Sequence, residues 1–212
     1  MAKQLNKFLI VNADDFGYSY SVNKGIIEAH TKGIVSSTSV MVDAIAANEA
    51  KNLTEFPNLS IGLHFDLKDE TYAEIELERQ IEKFVFIVGR QPDHIDTHKR
   101  HTTDAGIKEV LESFSKIHHI PVRNFEAKYI GSFGINSNDT SIDQLKRSID
   151  EATEAYNELM THVGYSDDYL RNRSTYSDPR EEELKSICSP EIVAYIKQKG
   201  LVLINWSSVS YT

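Results

Sequence analysis

The sequence predicts an α/β fold: an incomplete (β/α) barrel of the TIM type, with about seven parallel strands and an active site at their C-terminal rim. Short apolar, β-branched stretches alternate with longer segments of helical spacing along the 212 residues, and parallel strand pairs need such crossovers. No dinucleotide or phosphate fingerprint such as G-x-G-x-x-G is present, which favours a barrel over an open doubly wound sheet. No linker or repeat divides the chain, so we expect one domain over residues 1–212.

The alternation can be followed in order. The strand candidates are FLIVN (8–12), IVSSTSVMV (34–42), LSIGLHF (59–65), DHIDTH (93–98), VRNFEAK (122–128), ELMTHV (158–163) and LVLINW (201–206). Apolar residues at helical spacing mark three of the intervening helices: Val22, Ile26 and Ala29; Leu77, Ile81, Phe84, Val85 and Val88; and Ile107, Val110, Leu111, Phe114 and Ile117. Gly33 is a stop signal for the first of them.

Composition and charge exclude several functions. A 40% apolar share with 26% charged residues is typical of an ordinary globular protein. The net charge of -9 argues against nucleic-acid or anionic-membrane surfaces. One cysteine, Cys188, allows no internal disulfide and no thiolate metal cage. The first apolar stretch is too short for a signal peptide, so we expect a cytoplasmic protein.

Acidic and histidine residues fall where the predicted strands end. Asp14 and Asp15 follow the first strand, and His64, His98 and His162 lie at or near the ends of the third, fourth and sixth. In a (β/α) barrel these ends meet on one face, where active sites are built. Asp14 and Asp15 are adjacent like charges, so one could carry a raised pKa, a polar turn could hold both, or a bound cation could relieve their repulsion.

Carboxylate and imidazole groups together suit a divalent metal site with open positions. In a strand, His94, Asp96 and His98 of HIDTH share one face, so Asp96 could orient a ligand imidazole. If HIDTH were helical, His94 and His98 could both bind metal, but no Glu follows His94 to act as base.

Five ordered motifs resemble the YdjC-like carbohydrate deacetylases, which include the chitooligosaccharide deacetylases. They are LIVNADDFG, NKGIIEAHTKGIVSSTSVMV, IGLHF, PDHIDTH and LMTHVGYSDDYLR, and the similarity runs from about residue 7 to the end of the chain. The resemblance implies a distorted (β/α) barrel, metal-dependent removal of acetyl groups from N-acetylated sugars, and a homodimer. The metal is expected to be Mg²⁺ or Zn²⁺.

Matched motif by motif, the resemblance implies a role for each site residue. The metal ligands would be Asp15, His64 and His98. Asp14 would be the general base, and His162 would be the general acid for the leaving amine. Acetate and a free amino sugar would be the products.

The later segment DDYLRNRSTYSDPREEEL supplies candidate sugar contacts by the same resemblance. They are Arg171, Tyr176 and Arg180.

The chain departs from the family pattern at three places. Lys99, Arg100 and an out-of-register His101 replace further histidines after His98, and Val163 replaces the usual proline after His162. The stretch 67–80 is shorter than in longer members. A trimmed rim could admit a different or larger saccharide.

The remaining candidates have structural explanations. His30, His118 and His119 lie near predicted helix ends, where a cation is favourable. Trp206 is expected either to stack on a sugar at the rim or to lie in the core. Cys188 is expected to be a structural thiol.

Two other functional classes stay open on the sequence. A glycosidase with paired carboxylates would use Asp14 or Asp15 with Asp96, but it would leave His64, His98 and His162 without a role. A noncatalytic sugar-binding protein would keep the fold and the metal without turnover.

Overall fold

The computed structural model describes residues 7–98, 105–135 and 138–209. Its strands are β1 (Lys7–Phe16), β2 (Ser37–Val40), β3 (Ser60–Phe65), β4 (Ile95–Thr97), β5 (Lys128–Ser132), β6 (Tyr156–Thr161) and β7 (Leu201–Leu203). Its α-helices are α1 (Tyr20–Lys32), α2 (Ala73–Val88), α3 (Ala105–His118), α4 (Ile142–Asp150), α5 (Asp168–Arg171), α6 (Pro179–Ile187) and α7 (Pro190–Gln198). Single 3₁₀ segments occupy Ala47–Glu55, Glu70–Tyr72 and Trp206–Ser208.

All named strands pair in parallel and form one curled sheet, in the order β4-β3-β2-β1-β6-β5. The start of β1 also pairs with β7, through Lys7–Leu9 and Leu201–Leu203. A single parallel bridge joins Ile95 to Val122 beyond the β4 edge. The sheet is therefore an incomplete barrel, as the alternation of strands and helices predicts.

The core lies between the sheet and the helices that cover it. Leu9, Val11 and Ala13 of β1 are fully buried beside Ile26 of α1 and Phe84 of α2. β1 is central and almost entirely buried, as its continuous apolar run predicts. A buried central strand fixes the position of the residues that follow it, including Asp14 and Asp15.

One strand prediction is wrong. The stretch 122–128 contributes only the bridge at Val122, and β5 begins at Lys128. Residues 123–127 form turns, which include Asn124 with φ 69°. A side chain from this turn, Arg123, is directed into the barrel, as described below.

Among the described residues, no helix has the length and apolar character needed to cross a membrane.

Candidate active site

A bulge near the end of β1 explains how two successive carboxylates enter one site. The pairing of β1 with β2 shifts register between Ala13 and Phe16, and Asp15 has φ 72°. In a regular strand, neighbouring side chains point to opposite faces, whereas a bulge redirects one of them. Asp14 and Asp15 are consequently both buried next to His64, with 1% and 3% of their surface exposed.

Asp14 is clamped by Arg123. The guanidinium Nη1 and Nη2 donate to the two carboxylate oxygens of Asp14 at 2.9 and 2.7 Å. The Asn12 side chain donates a third bond to Asp14 Oδ1 at 2.8 Å. Arg123 is itself buried and also contacts Asp96 at 2.8 Å and Glu158 at 2.9 Å. Asp14 is thus rigidly oriented by a cation that belongs to the chain.

Asp15 forms an ion pair with a different arginine. Arg180, in the first turn of α6, donates from Nη2 to Asp15 Oδ2 at 2.6 Å. Burial raises the pKa of Asp15, but the Arg180 charge and His64 outweigh this effect and hold the pKa well below its usual value. Asp15 Oδ1 lies 3.2 Å from His64 Nε2. Within the described part of the chain, that oxygen accepts no well-directed hydrogen bond.

His64 and His98 are both oriented by carboxylates at Nδ1. His64 Nδ1 lies 2.5 Å from Asp96 Oδ1, and His98 Nδ1 lies 2.9 Å from Asp66 Oδ1. The two rings are close, with centroids 5.5 Å apart. This carboxylate–histidine arrangement is common around metals, because it turns Nε2 outward as the ligand atom.

The spacing of Asp15 Oδ1 and His64 Nε2 fits a metal ion. Two ligands bound to one ion at about 2.1 Å lie about 3 Å apart, and Asp15 Oδ1 and His64 Nε2 are separated by 3.2 Å. Burial lowers the pKa of His64, but the charges of Asp96 and Asp14 raise it well above its usual value, so a metal ion would have to displace the proton from Nε2. Asp15 and His64 can therefore supply one oxygen and one nitrogen ligand, and His98 as a third ligand stays a prediction.

A second group of possible ligands shares His64. Atoms of Asp14, His64 and Asp96 lie within 4.8 Å of one another. Arg123 already forms ion pairs with both carboxylates of this group, and its charge would repel a cation placed between them. The electrostatics therefore disfavour an ion between Asp14 and Asp96.

His162 lies just beyond the end of β6, at the position that the sequence predicts. Its backbone N–H donates to Glu183 Oε2 at 2.8 Å, and its ring packs edge-on against Tyr176. Burial lowers the pKa of His162 to about 4, although Asp15 and Asp14 oppose the shift. Its Nδ1 has no hydrogen-bond partner among the described residues. The imidazole is accordingly neutral at pH 7.

The candidate sugar contacts have other partners. Tyr176 is 8% exposed, and its hydroxyl donates to Glu183. Arg171 is at the surface and pairs with Asp178 at 3.1 Å, and Arg180 is buried against Asp15. Direct contact of Arg171 or Tyr176 with a substrate stays a prediction.

Other candidates take structural positions. His30 Nδ1 lies 2.8 Å from the Val35 carbonyl, and His118 stacks on Phe114. Trp206 is 1% exposed and stacks on His94, so its core alternative is confirmed. Burial raises the pKa of the Cys188 thiol, which suits a structural role. Lys99, Arg100 and His101 lie outside the described residues.

The site borders a cavity of about 900 Å³. Its lining includes His64 and Asp66, and it extends to Tyr18, Tyr169 and Tyr72. A cleft of this size accommodates a small organic molecule, which would lie against His64 and Asp66.

Sequence reasoning missed Arg123 as a site residue. The signal is an arginine within an apolar stretch, PVRNF, next to a strand end. Buried arginines are rare unless they are paired, so Arg123 could have been matched with the acids on the neighbouring strands.

Comparison with known proteins identifies a matching family. A family model described as "YdjC-like protein" matches residues 8–74 and 68–198. A carbohydrate deacetylase of Clostridium beijerinckii is 31% identical over 95% of this chain and 99% of its own. A chitooligosaccharide deacetylase of Serratia marcescens is 30% identical over 94% and 98%.

A solved structure is also similar. It is a protein from Enterococcus faecalis V583 whose assignment to cellobiose-phosphate cleavage is provisional. It superimposes with a TM-score of 0.84 and 25% identity, covering 96% of this chain and 98% of its own.

Proposed function

Because the chain belongs to the YdjC-like protein family, we propose that it is a metal-dependent hydrolase that removes the acetyl group from N-acetylated sugars, such as chitooligosaccharides. Two relatives named as carbohydrate and chitooligosaccharide deacetylases match nearly the whole chain. The observation that carries the proposal is the division of the acid pair. Asp14 is clamped by Arg123, while Asp15 leaves one oxygen beside the Nε2 atom of His64.

The ligands we propose are Asp15, His64 and His98. When bound, a divalent ion would polarise the acetamide carbonyl and acidify a water molecule. Oxygen and imidazole ligands together suit Zn²⁺ or Mn²⁺, and Mg²⁺ would bind with more waters. Asp96 and Asp66 hold the two imidazoles in the orientation that this role needs.

Asp14 is the proposed general base. It accepts a proton from the attacking water as the new C–O bond forms at the acetyl carbon. Its Oδ2 accepts one hydrogen bond among the described contacts, from Arg123, so a lone pair is available for that proton. Arg123 prevents the carboxylate from rotating away.

His162 is the proposed acid for the leaving amine. With its pKa lowered by burial to about 4, it rests as the neutral imidazole and must gain a proton during turnover. The proton taken up by Asp14 is the available source. When the C–N bond breaks, this proton ends on the sugar nitrogen, and acetate and a free amino sugar are released.

Acetate release tests the proposal. The purified protein should release acetate from N-acetylglucosamine or its oligomers, lose that activity with EDTA and regain it when Zn²⁺, Mn²⁺ or Mg²⁺ is added. Activity that survives complete metal removal would contradict the metal role and favour the glycosidase with paired carboxylates. Sugar binding without acetate release from any acetylated sugar would favour a noncatalytic sugar-binding protein.

We further propose a cytoplasmic homodimer, from the sequence resemblance and the single cysteine. The elution volume in gel filtration, combined with light scattering, tests the oligomeric state.

A further inference from the structure

The cavity beside His64 extends well past the proposed metal ligands. From His64 and Asp66 the cavity reaches aromatic side chains at two places. One group is Tyr18 with Tyr169, where the Tyr18 hydroxyl donates to the Arg173 carbonyl at 3.3 Å. The other is Tyr72 at the start of α2. The volume of the cavity is about 900 Å³, near the upper end for small-molecule sites. One acetylated sugar residue does not fill this volume.

The wall of the cavity at the start of α2 carries apolar side chains that are exposed to solvent. Tyr72 is 58% exposed and Ile75 is 68% exposed, and both line the cavity. Exposed apolar side chains that line a cleft continuous with a reactive site mark a ligand-binding surface. The C–H face of a pyranose ring is apolar and packs on aromatic rings, while its hydroxyl groups need polar neighbours. Asp69 and Glu76, which line the same cavity, supply such neighbours.

This wall is held in place before any ligand binds. The Gln80 side chain, 1% exposed, bonds both the N–H and the carbonyl of Asp66, at 3.2 and 2.6 Å. Asp69 accepts from the backbone of Thr71 and Tyr72 at 3.0 and 3.2 Å, which forms the turn into α2. Tyr72 is thus presented on a preorganised turn, and ordering it costs little on binding.

The same wall is where this chain departs from its family. The two matched stretches of the family model overlap at residues 68–74. The alignment with the Clostridium beijerinckii relative runs over 245 residues, although this chain has 212. The two parts of the family model therefore meet on this chain at residues 68–74, and Tyr72 lies in that segment.

We propose that Tyr72, with Ile75, forms the subsite that binds the second, non-reacting sugar residue of an oligosaccharide substrate. The inference rests on the proposed deacetylase function. The non-reacting residue packs on the Tyr72 ring while the acetylated residue occupies the site beside His64.

The test compares N-acetylglucosamine with its trimer as substrates for the wild type, Tyr72→Ala and Tyr72→Phe. Tyr20→Ala is the matched control, since Tyr20 is also 58% exposed but does not line the cavity. Tyr72→Ala should raise KM for the trimer about tenfold, which corresponds to about 1.4 kcal/mol, with kcat changed less than twofold. The advantage of trimer over monomer in kcat/KM should shrink by the same factor. Tyr72→Phe should retain it, because the ring makes the contact.

An equal loss of kcat/KM on monomer and trimer in Tyr72→Ala would overturn the subsite. So would a wild type that shows no preference for the trimer. If the wild type releases no acetate from either sugar, the proposed deacetylase function fails, and trimer binding measured by calorimetry decides the subsite separately. Binding about tenfold weaker in Tyr72→Ala than in Tyr20→Ala supports the subsite; equal binding overturns it.

Discussion

Asp14→Asn should separate catalysis from metal binding. The change removes the proposed base, so acetate release should fall by about 10²- to 10⁴-fold. The proposed metal ligands Asp15, His64 and His98 are untouched. The affinity for Zn²⁺ or Mn²⁺, measured by calorimetry on the metal-free protein, should therefore fall by less than the roughly 10- to 100-fold that loss of a group orienting a ligand costs.

The structure also sets the stability cost of that change. Asn retains one oxygen for Arg123 but places an amide N–H against the other donor, so one charged hydrogen bond of the two is lost. This costs about 1.5–3 kcal/mol. Arg123 keeps Asp96 and Glu158 as partners, so its charge stays compensated. Chemical denaturation should show a folded, two-state protein.

Asp15→Asn is the counterpart, and Asp143→Asn is the control because the Asp143 side chain is 81% exposed. Asp15→Asn should lower metal affinity by about 100-fold or more, whereas the control should change neither property. If Asp14→Asn weakens metal binding as much as Asp15→Asn does, the ion belongs to the group of Asp14, His64 and Asp96, and our reasoning about Arg123 is wrong.

Three further outcomes follow from buried contacts. Asp96→Asn should weaken metal binding about 10- to 100-fold in the same calorimetric assay, because His64 loses the carboxylate at its Nδ1; unchanged affinity would contradict this. Arg123→Met should lower the free energy of unfolding by about 3–5 kcal/mol, since three carboxylates lose their cation, whereas Arg147→Met at the surface should have little effect. Burial raises the pKa of Glu183 from 4.5 to about 8. The native state then binds the extra proton, so the wild type loses stability as pH rises between these values, by up to about 1.4 kcal/mol per pH unit. Urea unfolding of Glu183→Gln across pH 5–8 should lack that slope, and an equal slope in both proteins would exclude Glu183 as its source.

The sequence predicts the architecture well where periodicity is strong. β1 and the helix containing Leu77 and Phe84 lie where the apolar pattern places them, because burial alone determines those elements. The stretch at 122–128 fails, because its β-branched and aromatic residues serve a turn that directs Arg123 inward. Local propensity cannot reveal a contact between residues 109 positions apart.

Site prediction has the same limit. Asp15, His64 and His98 can be placed at strand ends from the sequence, since strand direction fixes which ends meet. The partners that orient these residues cannot be predicted from the sequence. Asp66 follows His64 by two residues, yet it contacts His98, and that pairing depends on the register of β3 with β4.

Asp14 and Asp15 show how contacts between distant residues determine the environment of a side chain. The sequence suggests that a bound cation must relieve the repulsion between Asp14 and Asp15, but the fold supplies an arginine to each, 109 and 165 residues away. Arg123 engages both oxygens of Asp14, which leaves that carboxylate poorly placed to chelate an ion. Arg180 engages only Oδ2 of Asp15 and leaves Oδ1 beside His64. The two arginines therefore give identical neighbouring side chains different environments, and no bound cation is needed to hold the pair together.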